Sequence, residues 1–165
     1  MNMNRLGAEE IIRRLNLKKH PMEGGYFVET YRTEEKCGER SLSTAIYFLL
    51  TDETFSEMHR VQGDEMYHFY YGDPVEHLQL FPDGSGKIIT IGNDIAAGHQ
   101  PQVIVPGGVW QGSRMAAGGR VALMGTTMAP GFEYRDYYSG DLDTLVASFP
   151  DFRELIAALT RRDSR

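Results

Sequence analysis

Near the start of the chain, apolar residues fall at helical spacing. Ala8, Ile11, Ile12 and Leu15 share one face. Glu9 and Glu10 stand in the first turn, where carboxylates suit the helix dipole, so the pattern predicts a short amphipathic helix over Ala8 to Leu17. His20-Pro21-Met22-Glu23-Gly24-Gly25 ends it in a turn, because paired glycines accept positive φ. From Tyr26 the period drops to two. Strands are expected over Tyr26 to Arg32, Thr44 to Thr51, Thr54 to Arg60, Met66 to Tyr71, Val75 to Phe81 and Lys87 to Ile91. Further strands are expected over Gln102 to Val105, Val109 to Gly112, Val121 to Met128 and Phe132 to Tyr138. Pro82-Asp83-Gly84-Ser85-Gly86 is the clearest hairpin turn among them. Short strands at intervals of roughly 8–12 residues indicate an all-β sandwich or barrel. Helix returns at the end. Asp141 can cap Leu142 to Ser148, Pro150 stops that segment, and Asp151-Phe152-Arg153-Glu154 has the spacing of a capping box opening Phe152 to Thr160. With no repeat and no linker, the 165 residues read as one domain, a core barrel over about 24–138 followed by helices over 141–160.

Composition narrows the function classes. Hydrophobic residues make up 41% and charged residues 24%, ordinary globular values. The net charge of −6 repels phosphate backbones, and no basic stripe is interleaved with aromatics, so no nucleic-acid role is expected. The basic cluster Arg161, Arg162 and Arg165 is expected to sit at the positive end of the last helix. The single cysteine, Cys37, lies in a polar turn with no partner thiol and reads as incidental. No apolar signal core stands at the N-terminus and no run approaches the ~20 residues that span a bilayer, so a cytoplasmic protein without a membrane role is expected.

The informative stretch is Met58 to Gly72. His59 ends one strand and Glu65 begins the next across a tight Gln62-Gly63-Asp64 connection, so both side chains can enter one interior. A histidine and a carboxylate there could bind a metal, abstract a proton or orient a ligand; equally, they could form a buried pair that only fixes the hairpin. Strict alternation puts Glu65, Tyr67, Phe69 and Tyr71 on one face and Met66, His68 and Tyr70 on the other, so His68 reaches a pocket only if a bulge intervenes. Gln79 is in phase with His77 and Phe81, one face of which should line the interior. His20 and His99 read as turn residues. Trp110, beside Gln111, reads as core packing or as a ligand platform at the barrel mouth.

Met58 to Gly72 resembles the first motif of the cupin superfamily, with His59, Glu65 and Gly72 at the places of its first histidine, glutamate and glycine. Val61 stands where the second histidine belongs. Pro106-Gly107-Gly108-Val109-Trp110-Gln111 resembles the second motif, with glutamine in place of the last histidine. Five blocks, His20 to Arg32, Ser43 to Leu50, His59 to Pro74, Val105 to Arg114 and Ala129 to Tyr137, resemble the uncharacterised cupin group DUF985, or Cupin_5. The resemblance implies a double-stranded β-helix, a jelly-roll barrel like that of the sugar-nucleotide epimerase RmlC, usually dimeric. No cofactor is expected, and His59, Glu65 and Gln111 would make at most a weak divalent-metal site.

Three functions follow. The first is a binding module for a small polar metabolite, sugar- or nucleotide-sugar-like. The second is a metal-independent isomerase or epimerase with His59 as base, Glu65 holding its tautomer and Tyr67 as proton donor; the third is a metal-dependent cupin enzyme. His68, Gln79, Trp110 and Gln111 are the expected ligand contacts. A homodimer is expected, to cover sheet edges and an apolar strand face carrying Ile46, Phe48 and Leu50.

Overall fold

A computed structural model describes residues 5–161. In chain order the elements are α1 (Ala8–Leu15), β1 (Lys18–Lys19), β2 (Tyr26–Arg32), β3 (Lys36–Cys37), β4 (Arg40–Ser41), β5 (Thr44–Thr51), β6 (Phe55–Arg60), β7 (Asp64–Gly72) and β8 (Val75–Leu80). There follow β9 (Gly86–Ile91), β10 (Gln102–Val105), β11 (Trp110–Met115), β12 (Val121–Ala129), β13 (Tyr138–Ser139), α2 (Leu142–Ser148) and α3 (Arg153–Ala158). Two antiparallel sheets face each other, one ordered β1-β2-β5-β12-β7-β10 and the other β13-β6-β11-β8-β9. This is the jelly-roll barrel that the resemblance implies, one of the all-β architectures the strand pattern leaves open.

Alternation sorts each strand between an inner and an outer face. Phe48, Leu50, Tyr67, Val75, Ile91, Val105 and Met124 form the barrel core. Strands such as β5 and β8 are buried on both faces because helices cover them from outside. On the five-stranded sheet, Met58, Leu78 and Leu80 pack against Leu145, Ile156 and Leu159 of the C-terminal segment. On the six-stranded sheet, α1 lays Ile11 against Leu49 and Val121. Asp141 caps α2 by accepting from the Thr144 amide at 2.9 Å. Gly72 closes β7 at φ +107°, where a Cβ would collide with the Val121 carbonyl.

Several expectations change. Phe132 to Tyr138 is not a strand; Tyr134–Asp136 is a 3-10 turn and only Tyr138–Ser139 pairs, because the aromatics there pack on the barrel mouth instead of joining a ladder. The capping box at Asp151 is not formed: Pro150 opens a 3-10 turn over Pro150–Phe152, and α3 begins after Phe152 with no side-chain cap. Arg161 lies beyond the end of α3 and approaches Glu57 at 3.7 Å; Arg162 and Arg165 lie outside the described residues. Phe48 and Leu50 are internal, so the apolar face invoked for a dimer is the barrel core. The large exposed apolar residues of the six-stranded sheet are instead Tyr31, Tyr70 and Ile104. Among the described residues, no helix is long and apolar enough to cross a membrane.

Candidate functional site

A cavity of about 70 Å³ opens at the end of the barrel where β5, β7 and β12 carry Thr44, Glu65 and Met128. His59 reaches it through a register shift. Gln111 pairs with His59 but Ser113 pairs with Ser56, so β6 holds one residue more than β11 over that span. Such a bulge re-aims side chains, and here Ser56 and His59 both turn inward. Opposite them, the turn before β2 supplies His20 and Glu23, and the loop before β13 supplies Tyr137.

His59 is fully buried and its Nδ1–H donates to the Glu57 carbonyl at 2.7 Å, which leaves Nε2 as the lone-pair nitrogen. Burial holds its pKa below the ordinary histidine value against the opposing pull of Glu65, so the ring is neutral near pH 7. Tyr137 stacks on it, with ring centroids 4.9 Å apart, and donates its hydroxyl proton to Glu57 at 2.9 Å. Two carboxyls share the space. Glu23 accepts from the Ser56 hydroxyl at 2.5 Å, and burial pushes its pKa up to about 7. Glu65 accepts from the Gln111 amide at 2.7 Å and is likewise raised, first by burial and then by Glu23. His20 accepts two backbone N–H groups at Nδ1, from Met22 and Glu23, and burial keeps it neutral with a pKa near 4. At the mouth, Arg32 is engaged by Glu29 at 2.9 Å, Glu133 at 3.2 Å and the Phe132 carbonyl at 3.0 Å.

The expected residues divide accordingly. His59 and Glu65 line one cavity, and Gln111 stands directly behind Glu65. Glu65 bonds to Gln111, and it is the Glu57 carbonyl, not Glu65, that fixes the His59 tautomer. Tyr67 lies in the barrel core, 5.1 Å from the His77 ring, and does not line the cavity. Gln79 is fully buried beyond Gln111 and donates to the Ile104 carbonyl. His68 stays on the outer face with Thr127 and Tyr70, because the bulge in β7 comes after it, at Tyr70. Trp110 faces outward beneath Arg60, since alternation sends it opposite to its neighbour Gln111. Sequence reasoning missed Glu23, Tyr137 and Arg32, and took His20 for a turn residue only; all four line the cavity.

The metal reading needs His59, Glu65 and Gln111 as ligands. Val61, at the second histidine position, is buried in an apolar cluster with Met128 and Tyr137, and Gln111 spends its amide nitrogen on Glu65. Among the described residues, no group of three or more His, Cys, Asp or Glu side chains converges as a metal site. The donors present do not fit a cupin metal.

The Cupin_5 model, described as Cupin superfamily (DUF985), matches residues 9–139. The yeast (Saccharomyces cerevisiae) Uncharacterized protein YML079W is 28% identical over 148 residues, 78% of this chain and 73% of its own. Protein SO0799 from Shewanella oneidensis superimposes with a TM-score of 0.89 at 33% identity, over 96% of this chain and 99% of that one. A hypothetical protein from Leishmania major gives 0.89 at 30% identity, over 95% and 100%. Oxalate decarboxylase from Bacillus subtilis, at 16% identity and a TM-score of 0.58 over 88% of this chain and 37% of that one, shares the fold.

Proposed function

The chain belongs to the DUF985 (Cupin_5) family of the cupin superfamily, and on that premise we propose that it binds a small uncharged polar metabolite in the barrel and moves a proton on it without a metal. The observation that carries this is the meeting, in one cavity, of a neutral histidine with a defined lone pair and two buried carboxyls that hold protons unusually far up the pH scale. His59 Nε2 takes a proton from carbon next to a carbonyl, Glu23 returns one, and Glu65 orients the ligand; this is isomerase or epimerase chemistry. Tyr67 is replaced as donor by Glu23, since Tyr67 lies in the core and the Tyr137 proton is held by Glu57.

Size and charge support a neutral ligand. The cavity admits the reacting end of a small molecule, not a nucleotide, and Arg32 already serves two carboxylates, leaving little attraction for a phosphate. A sugar-like polyol suits it better than a nucleotide sugar. The test is incubation in D₂O with a panel of neutral aldoses and ketoses, following exchange at the carbon next to the carbonyl by NMR. Exchange that falls by a factor of about 100 or more in His59→Ala is expected. Binding without exchange across the panel would favour the second reading, a non-catalytic binding module, for which the apolar walls Phe27, Ile46 and Phe132 supply the contact surface. A homodimer would use the outer face carrying Tyr70 and Ile104, and light scattering over a dilution series should give twice the monomer mass.

A further inference from the structure

Behind Glu65 the five-stranded sheet turns a polar patch toward the barrel interior. Gln111 and Ser113 point inward from β11, and their register partners Gln79 and His77 do so from β8. Direct partners stand ~5 Å apart and diagonal ones ~7 Å, so the four make a two-by-two quartet. Apolar residues seal it on both sides: Met115 against Val75 toward one end of the barrel, and Val109 toward the other. All four members are fully buried. Both ring nitrogens of His77, Oε1 of Gln79, Oε1 of Gln111 and Oγ of Ser113 nevertheless have no hydrogen-bond partner among the described residues. Only the amide nitrogens are engaged, Gln79 on the Ile104 carbonyl and Gln111 on Glu65.

Buried polar atoms are paired almost everywhere in native proteins, so five unpaired atoms on one patch of wall need a common account. Their demand is specific. The two amide oxygens only accept, neutral His77 offers one N–H and one lone pair, and the Ser113 hydroxyl can do either. Burial keeps His77 uncharged, its pKa pushed down to about 3, so no member of the quartet supplies a counter-charge for an ion. A guest with several O–H groups satisfies all five atoms at once.

We propose that His77, Gln79, Gln111 and Ser113 form an inner subsite for uncharged hydroxyl groups, linked to the cavity through the hydrogen bond from Gln111 to Glu65. Bound water and the hydroxyl end of a neutral polyol share this chemistry; the second source rests on the metabolite-binding reading above. Gln111 is the joint between the two regions, with its amide nitrogen on Glu65 and its amide oxygen in the subsite, so a guest there steadies the Glu65 carboxyl.

The test begins with high-resolution crystals of the full chain, before and after soaking in erythritol. The expected result is an oxygen atom within hydrogen-bond distance of at least three of the four side chains. Water that survives the soak identifies water as the guest, and replacement by a polyol hydroxyl identifies a ligand subsite; a quartet closed on itself with no guest in either crystal overturns the proposal. In solution, Ser113→Ala should lower Tm by about 2–4 °C because the guest loses a partner. An unchanged or raised Tm overturns the proposal, since removing an unpaired hydroxyl from a dry core does not destabilise it. Ser113→Ala leaves His59, Glu23 and Glu65 in place. A dry quartet in a protein that still exchanges protons therefore sinks the subsite alone, and a hydrated quartet in one that exchanges none sinks the catalytic reading alone.

Discussion

The two ends of the barrel share strands β5, β8 and β12 and both bury their side chains, yet they hold opposite chemistry. At the closed end Leu50, Val75, Ile91 and Ala122 meet with no exposure at all. At the open end His59, Glu65 and Glu23 are buried almost as completely. Single strands grade from one to the other. β5 runs from Leu50 and Phe48 to Ile46 and Thr44, β12 from Ala122 and Met124 to Thr126, and β8 from Val75 to His77 and Gln79. Burial therefore does not separate scaffold from site here. What separates them is the cost of burial: the apolar end gains stability from lost water contact, whereas the polar end must hold its groups neutral or hydrogen-bonded.

The sharpest way to break this contrast is to damage each end alone. Ile91→Ala should cost about 2–5 kcal/mol in urea unfolding, through lost transfer energy and the cavity left behind, while proton exchange per folded molecule stays unchanged. His59→Ala should do the reverse, abolishing exchange with a smaller loss of stability. If Ile91→Ala abolished exchange while the protein remained folded, the two ends would not be independent.

The strands and the hairpin turn were legible because they rest on alternation and turn chemistry, whereas the jelly-roll order of the sheets came only from the family resemblance. Val75, His77, Gln79 and Phe81 share a phase, and Asp83 accepts from the Ser85 amide at 2.9 Å in the turn that Pro82 to Gly86 announces. The open end was only half legible. His59 and Glu65 sit on adjacent strands, so their meeting follows from a short connection. The bulge that admits both Ser56 and His59 has no local signature, and of the two readings of Trp110 the structure shows the packing one, because a neighbour of Gln111 in sequence faces the other way on a strand. Glu23 and Tyr137 come from loops, where no period marks a facing direction. Their contacts span 33 residues to Ser56 and 80 to Glu57, separations that no local pattern encodes.

Titration reads the polar end without a ligand. His20 and His77 have folded pKa values of about 4 and 3, below the ordinary 6.5, so the unfolded chain binds protons that the folded one refuses. Their contribution is present above pH 6.5 and is lost as the pH falls toward those values. Glu23 works in the other direction. Its folded pKa of about 7 exceeds the ordinary 4.5, so its contribution is complete below pH 4.5 and is lost as the pH rises through 7. Between pH 4.5 and 7 the Glu23 loss offsets part of the histidine gain, so these three groups together should raise stability from pH 4 to about 7 and change it little above that. Glu23→Gln should remove the Glu23 loss, by about 3 kcal/mol at pH 8 and by nothing attributable to charge below pH 4.5. Urea unfolding at pH 4, 6 and 8 measures this; a change with pH of the same size in both proteins would overturn the assignment to Glu23.

The smallest expected effect concerns the state of Glu65, and it decides how the open end tolerates two carboxyls. If Glu65 were an ionised partner of His59, Glu65→Gln would sacrifice a charge-assisted hydrogen bond worth about 1.5–3 kcal/mol. The geometry argues otherwise: the His59 Nδ1–H is given to the Glu57 carbonyl, Gln111 faces Glu65, and burial together with Glu23 raises the Glu65 pKa. A carboxyl that keeps its proton is imitated by an amide of the same size, which can also exchange a hydrogen bond with Gln111. Glu65→Gln is therefore expected to change the unfolding free energy at pH 5 by less than about 1 kcal/mol, within the range of one neutral hydrogen bond. Glu65→Leu is the control, since it leaves the Gln111 amide without its acceptor and should cost more. A loss of 2–3 kcal/mol for the glutamine variant at pH 5 would mean that Glu65 is ionised there, and the polar end would then be held together by charge instead of by neutral hydrogen bonds.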